Sequence, residues 1–150
     1  MRPFALARVL ELTERRAEGL SRAVKRAHGV WLHARGRQVQ LAAVRDAHVE
    51  GLASQLRAGV STAQLQEANR LRQAQAAEIQ TARAAIDAAY RDWQARLAEW
   101  LEADQRLRAL RRLEERYREQ VAVQQRRIEQ REHDEFIERA HRIEAGGRAC

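Results

Sequence analysis

Five histidines and a scatter of carboxylates are the residues of this 150-residue chain with the richest potential chemistry. Glu138-Arg-Ala-His141 has the Glu-x-x-His spacing by which helix bundles hold paired iron ions, since residues three apart share a helix face. Such a centre needs a second copy of the spacing and two further carboxylates on facing helices. No second copy is present, so a solvated helix face is the simpler reading. His133-Asp134-Glu135 are consecutive and point in different directions around a helix, while His28 and His33, five apart, share a face poorly. The serines are Ser21, Ser54 and Ser61, which offer no nucleophilic triad, and no glycine-rich loop follows a strand to cradle a phosphate. The single cysteine, Cys150, has no internal disulfide partner. No catalytic, metal or cofactor site is expected, so the chain is read as a protein that works by binding other proteins.

The elements that would position these side chains are helices. Alanine, arginine, glutamine, glutamate and leucine dominate, 33% of residues are charged, and the only proline is Pro3. That bias marks coiled coils and long helices, and no proline after the first turn forces a break. Hydrophobic residues make up 45% of the chain, yet many are alanines and aromatics are 5%, a supply that suits a narrow seam better than a thick core. No run of about 18 apolar residues exists, so no transmembrane helix is expected. Arg8 and Glu11 interrupt the start too early for a signal-peptide apolar region.

A seven-residue apolar repeat runs through two arms. In the first, the seam positions are Leu6, Thr13, Leu20, Ala27, Ala34, Leu41 and His48, with Leu10, Ala17, Val24, Trp31, Gln38, Arg45 and Leu52. In the second they are Leu65, Arg72, Ile79, Ile86, Trp93, Trp100, Leu107, Glu114, Val121 and Ile128. Their companions are Ala68, Gln75, Ala82, Ala89, Arg96, Ala103, Leu110, Tyr117 and Gln124. A 3.5-residue period sustained this long implies a left-handed coiled coil. His48 reads as a polar interruption of the seam near the turn.

Between the arms, Gly59 can take a left-handed conformation and end a helix. Ser61 and Gln64 have capping-box spacing, with Val60 and Leu65 placed as a hydrophobic staple. The expected fold is therefore all-α: a long antiparallel two-helix coiled coil forming one domain. Arm one covers about 4–57, the turn 58–61, arm two about 62–144, and a frayed tail 145–150. Folding back at residue 60 sets position i against roughly 120 − i, which puts Trp31 opposite Ala89 and Trp93 opposite Ala27. Charge pairs four apart, such as Asp92–Arg96, Glu114–Arg118 and Glu138–Arg142, support the arms by about 0.2–0.5 kcal/mol each.

The arms are unequal. At roughly 1.5 Å per residue they would span about 80 and about 125 Å, so some 25–30 residues from about 117 onward should project past the N-terminus. That overhang carries Val121, Ile128 and Phe136, an apolar stripe that is either a docking surface or disordered. A free chain is expected to be a monomeric hairpin.

Net charge is +7, unevenly spread: residues 1–61 hold eleven basic and five acidic residues, residues 62–150 seventeen and sixteen. A basic surface attracts nucleic acid, anionic lipid or an acidic protein, and charge alone does not choose among them. Acidic residues interleave with the arginines, and no zinc-finger spacing or RNA-binding signature is present. Specific nucleic-acid binding is not expected. A basic coiled-coil nucleic-acid binder or generic scaffold stays as the alternative.

With the hairpin in place, Leu107-Arg-Ala-Leu-Arg-Arg-Leu-Glu-Glu-Arg-Tyr and Arg131-Glu-His-Asp-Glu-Phe-Ile-Glu-Arg-Ala carry a resemblance over nearly the whole chain. The sequence resembles the FliJ family of flagellar type III export proteins; the injectisome stalk counterpart is a close relative and reads similarly. The resemblance implies a non-enzymatic cytoplasmic stalk for flagellum biogenesis and motility, peripheral to the inner face of the cell membrane through its partners. Those partners would be the hexameric export ATPase, the cytoplasmic part of the export gate, and export chaperones. It further implies a gate contact in a stripe flanking the turn: Leu41, Val44, His48, Leu71, Gln75, Glu78 and Ala82. Gln75 and Glu78 are more polar than the family pattern, and His48 stands where an aromatic residue is common. The ATPase contact implied at the end of the rod falls on Val121, Ile128, Asp134, Glu135, Phe136 and Arg139. Val44 and Leu71 are also apolar positions just outside the seam in their own right, which register drift or a partner patch would each explain.

Overall fold

Pro3 and the aromatic Phe4 hold the chain short of helix until the backbone N–H of Ala7 reaches the carbonyl of Phe4 at 3.1 Å. The computed structural model describes residues 2–148, so Cys150 lies outside the described residues. Helix α1 runs Ala7–Ala58 and helix α2 runs Thr62–Gly147, with no strand among the described residues. The first helix thus begins three residues later than its sequence pattern, since Phe4 turns its ring toward Tyr117 instead, centroids 5.6 Å apart. The second continues through Gly146 to Gly147, beyond the boundary read from sequence, because glycine disfavours a helix by only about 1 kcal/mol and does not forbid it.

The turn forms as its residues dictate. Gly59 sits at φ +94°, a conformation that costs any residue with a Cβ, and its N–H reaches the Leu56 carbonyl at 3.4 Å. The Gln64 N–H donates to the Ser61 hydroxyl at 3.2 Å, and the Ser61 N–H donates to the Gln64 side-chain oxygen at 2.9 Å. These reciprocal bonds satisfy two donors at the start of α2 that have no helical partner. Ser61→Ala removes one of them and is expected to lower stability by about 1 kcal/mol. Urea unfolding followed by circular dichroism measures this; a change within error would mean the capping box is not needed.

Two packed units divide the chain, and each pairs one helix with the other. In the unit of residues 15–104, Ala17, Ala27, Ile79, Ala82, Ala89 and Ala103 are buried, and Val24, Trp31, Ile86, Trp93 and Trp100 are half-buried. In the unit built from residues up to 14 and from 105 onward, Leu10 and Leu107 are buried, and Arg111 reaches Glu14 at 3.3 Å. The Tyr117 hydroxyl there donates to the carbonyl of Arg2. Five of these eight buried side chains are alanines, the narrow seam that the composition implies. The residue numbers of partners in contact between the two arms, from Arg2–Tyr117 to His48–Gln75, add to between 119 and 125. The helices are therefore antiparallel in each unit, within five residues of the simplest register.

Several details differ from the sequence pattern: Leu6 and Leu65, assigned to the seam, are 37% and 41% exposed near the ends of the pairing. Arg96, assigned to the seam, is exposed and pairs with Asp92 at 3.5 Å, and the neighbouring Leu97 is half-buried in its stead. A leucine one position away removes apolar surface from water that a guanidinium would occupy only at a desolvation cost. Pairing each indole with an alanine also misses the main aromatic contact. Trp31 and Trp93 stack at 5.1 Å and 22°, Tyr90 lies 5.9 Å from each, and His28 lies 4.7 Å from Trp93. Buried Ala27 and Ala89, each four residues before an indole, leave room for this cluster.

Candidate functional site

The seam weakens toward the turn because its residues there are polar. Arg72 is exposed, Arg45 turns to its own neighbour Asp46 at 3.1 Å, and the His48 ring nitrogen Nδ1 is bonded to the Gln75 side-chain amide. His48 and Gln75, two separate interruptions of the heptad, therefore satisfy each other. With little apolar bulk to close the helices there, a groove of about 480 Å³ opens, with Val49, Leu52, Ala68 and Leu71 on its walls beside His48 and Gln75.

The structure brings together part of the expected gate stripe. His48, Leu71 and Gln75 line this groove. Val44 is 51% exposed and Leu71 45% exposed, so both present apolar surface to solvent. Glu78 is also exposed, and Leu41 is half-buried. Ala82 is buried at 6% exposure and packs in the seam, where it offers a partner little surface. Val49 and Leu52, absent from the stripe expected from sequence, lie in the groove; their signal was an apolar pair beside a polar seam.

The second candidate surface is the part of α2 beyond Tyr117. Val121 is half-buried, and residues 123–148 are exposed without exception. Side-chain pairs four apart stitch this helix along its own length: Gln125 to Glu129 at 3.3 Å, Gln130 to Asp134 at 3.0 Å, Glu135 to Arg139 at 3.6 Å and Glu138 to Arg142 at 3.7 Å. At about 100° per residue, Val121, Ile128, Phe136 and Ile143 fall within about 80° of one another, a single stripe. By the same count Glu135 borders that stripe and Arg139 falls within it, in line with Val121, whereas Asp134 lies on the other side and accepts from Gln130. Ile143, 75% exposed, belongs to the stripe and was missed in the sequence because it sits close to the expected tail.

Glu138 pairs with Arg142, and His133 and His141 are exposed. Among the described residues no three of His, Cys, Asp and Glu gather where a metal ion could be held. No helix of the described residues is long and apolar enough to cross a membrane.

Comparison with known proteins adds one finding. The family model described as "FliJ: Flagellar FliJ protein" matches residues 1–146, both helices and the turn between them. No curated protein and no solved structure matches the chain.

Proposed function

The chain belongs to the FliJ family of flagellar proteins, and from that premise we propose that it serves the flagellar export apparatus as a non-enzymatic stalk. In this reading the stripe of Val121, Ile128, Phe136 and Ile143, with Glu135 beside it and Arg139 within it, binds the export ATPase. The surface flanking the turn, centred on Val44, His48, Leu71 and Gln75, meets the cytoplasmic part of the export gate. Export chaperones are further partners. The protein then works at the inner face of the cell membrane, held there through the complexes it joins.

The observation that carries the proposal is a family match spanning both helices, joined to an α2 whose last 25 residues are exposed and carry Ile128, Phe136 and Ile143 on one stripe. Exposed aliphatic and aromatic side chains aligned on one helix face are how an amphipathic helix reads a groove on another protein. The full-length chain is expected to retain the export ATPase in a pull-down, and to bind duplex DNA only weakly and with steep salt dependence. Tight, sequence-selective DNA binding with no retention of the ATPase would overturn the stalk reading in favour of a nucleic-acid binder.

A further inference from the structure

Between Glu18 and Asp46 the chain holds no carboxylate, yet Arg22, Lys25, Arg26, Arg35, Arg37 and Arg45 all fall there. Arg45 is paired with Asp46, and Arg35 lies over the Trp31 ring at 4.8 Å. The other four, Arg22, Lys25, Arg26 and Arg37, are exposed and make no ion pair among the described residues. The seam side of this stretch is set by buried Ala27 and by half-buried Leu20, Val24, Trp31, Ala34 and Gln38. Arg22 is therefore half a turn away from the seam. At 3.5 residues per turn, Lys25 and Arg26 stand about 50° to either side of Arg22 and Arg37 about 100° from it. The same outer face carries Val30 at 60% exposure, Leu32 at 48% and Val39 at 66%.

We propose that this face of α1, from Arg22 to Val39, docks directly on an anionic lipid bilayer. The cations fan over about 150° of the helix surface, wider than one acidic stripe on a partner helix reaches. A headgroup layer presents phosphates across the whole fan at once, and each cation near such a surface contributes separately. The interleaved valines and leucine enter the boundary between headgroups and acyl chains, as in helices that lie in the interface plane. Duplex DNA would engage the four cations but leave Val30, Leu32 and Val39 with no apolar counterpart. This contact is additional to any attachment through export partners.

The test is sedimentation of the full-length chain with large unilamellar vesicles, either 30 mol% phosphatidylglycerol in phosphatidylcholine or phosphatidylcholine alone. Binding is expected to the anionic vesicles only, falling steeply as salt rises. R22Q/K25Q/R26Q/R37Q should weaken it on the order of a hundredfold. R126Q/R127Q/R131Q/R148Q removes the same charge from residues 126–148 and should change it less than about fivefold. V30S/L32S/V39S should weaken it several-fold with all cations in place. Circular dichroism and thermal melting of each variant should match the parent, since these side chains are exposed. No binding to anionic vesicles would overturn the proposal, as would equal losses from the two arginine-to-glutamine sets. A 20-base-pair duplex bound through the same four cations, with vesicle binding indifferent to the aliphatic triple variant, would assign the face to nucleic acid instead.

Discussion

Leu107→Ala is expected to destabilise the folded chain by about 2–3 kcal/mol, while Ile128→Ala changes stability by less than about 0.5 kcal/mol. Both residues occupy the same heptad position in the sequence, so pattern alone ranks them equally. Leu107 is 6% exposed and packs in the seam; Ile128 is 49% exposed on a stretch of α2 that no part of α1 covers. Truncating a buried leucine loses its transfer free energy and leaves a cavity, which together cost about 2–5 kcal/mol. The lower part of that range applies because a two-helix seam has no second layer to hold a cavity open. Only three buried side chains here exceed alanine in size, so a single one carries a large share of the core. Ile79→Ala should show a comparable loss. Chemical denaturation of the three variants measures the contrast, and equal effects at 107 and 128 would mean that the last third of α2 is packed after all.

The turn was legible because its signals are local. Gly59, Ser61 and Gln64 act over three or four residues, and both capping hydrogen bonds form as their spacing requires. The seam was legible at many apolar heptad positions, as with Leu10, Ala17, Ile79 and Ala103, but not at Leu6, Leu65 or Ile128, which are exposed at the ends of the paired stretch or beyond it. It failed at Arg96, where a leucine one residue later competes for the same space and wins by desolvation, a comparison that a fixed repeat does not make. The Trp31–Trp93 stack was hidden for a different reason: a register read to the nearest residue cannot say whether an indole leans one turn along to meet another. His48 and Gln75 were each visible as faults in the seam, but only the fold shows that they are each other's partner. The candidate surfaces were the least legible part. Exposure depends on what the other helix covers: Ala82, which the sequence placed both in the seam and in the gate stripe, is buried, and Ile143 is exposed.

Ile128→Asp is expected to weaken binding of the export ATPase on the order of tenfold or more while leaving the unfolding of the paired helices unchanged. A carboxylate set in the middle of a desolvated apolar stripe loses the contact and adds a buried charge, the kind of change that marks the centre of an interface. Phe136, 70% exposed two turns further along the same face, should behave likewise when changed to alanine. The free helix tolerates both substitutions because ion pairs and amide hydrogen bonds four residues apart, such as Glu135–Arg139 and Gln125–Glu129, hold it without help from the stripe. Val44→Asp, near the turn, is expected to make the opposite cut: gate binding falls and ATPase binding is spared, since Val44 is exposed far along the chain from the stripe beyond Tyr117. The two variants measured against both partners, with melting curves for each, give four binding values and two stabilities. Loss of both partners from either single change would mean one shared surface rather than two. A melting transition lowered by Ile128→Asp would mean that this residue is core, and the stretch beyond Tyr117 would then have a packing partner that its exposure does not reveal.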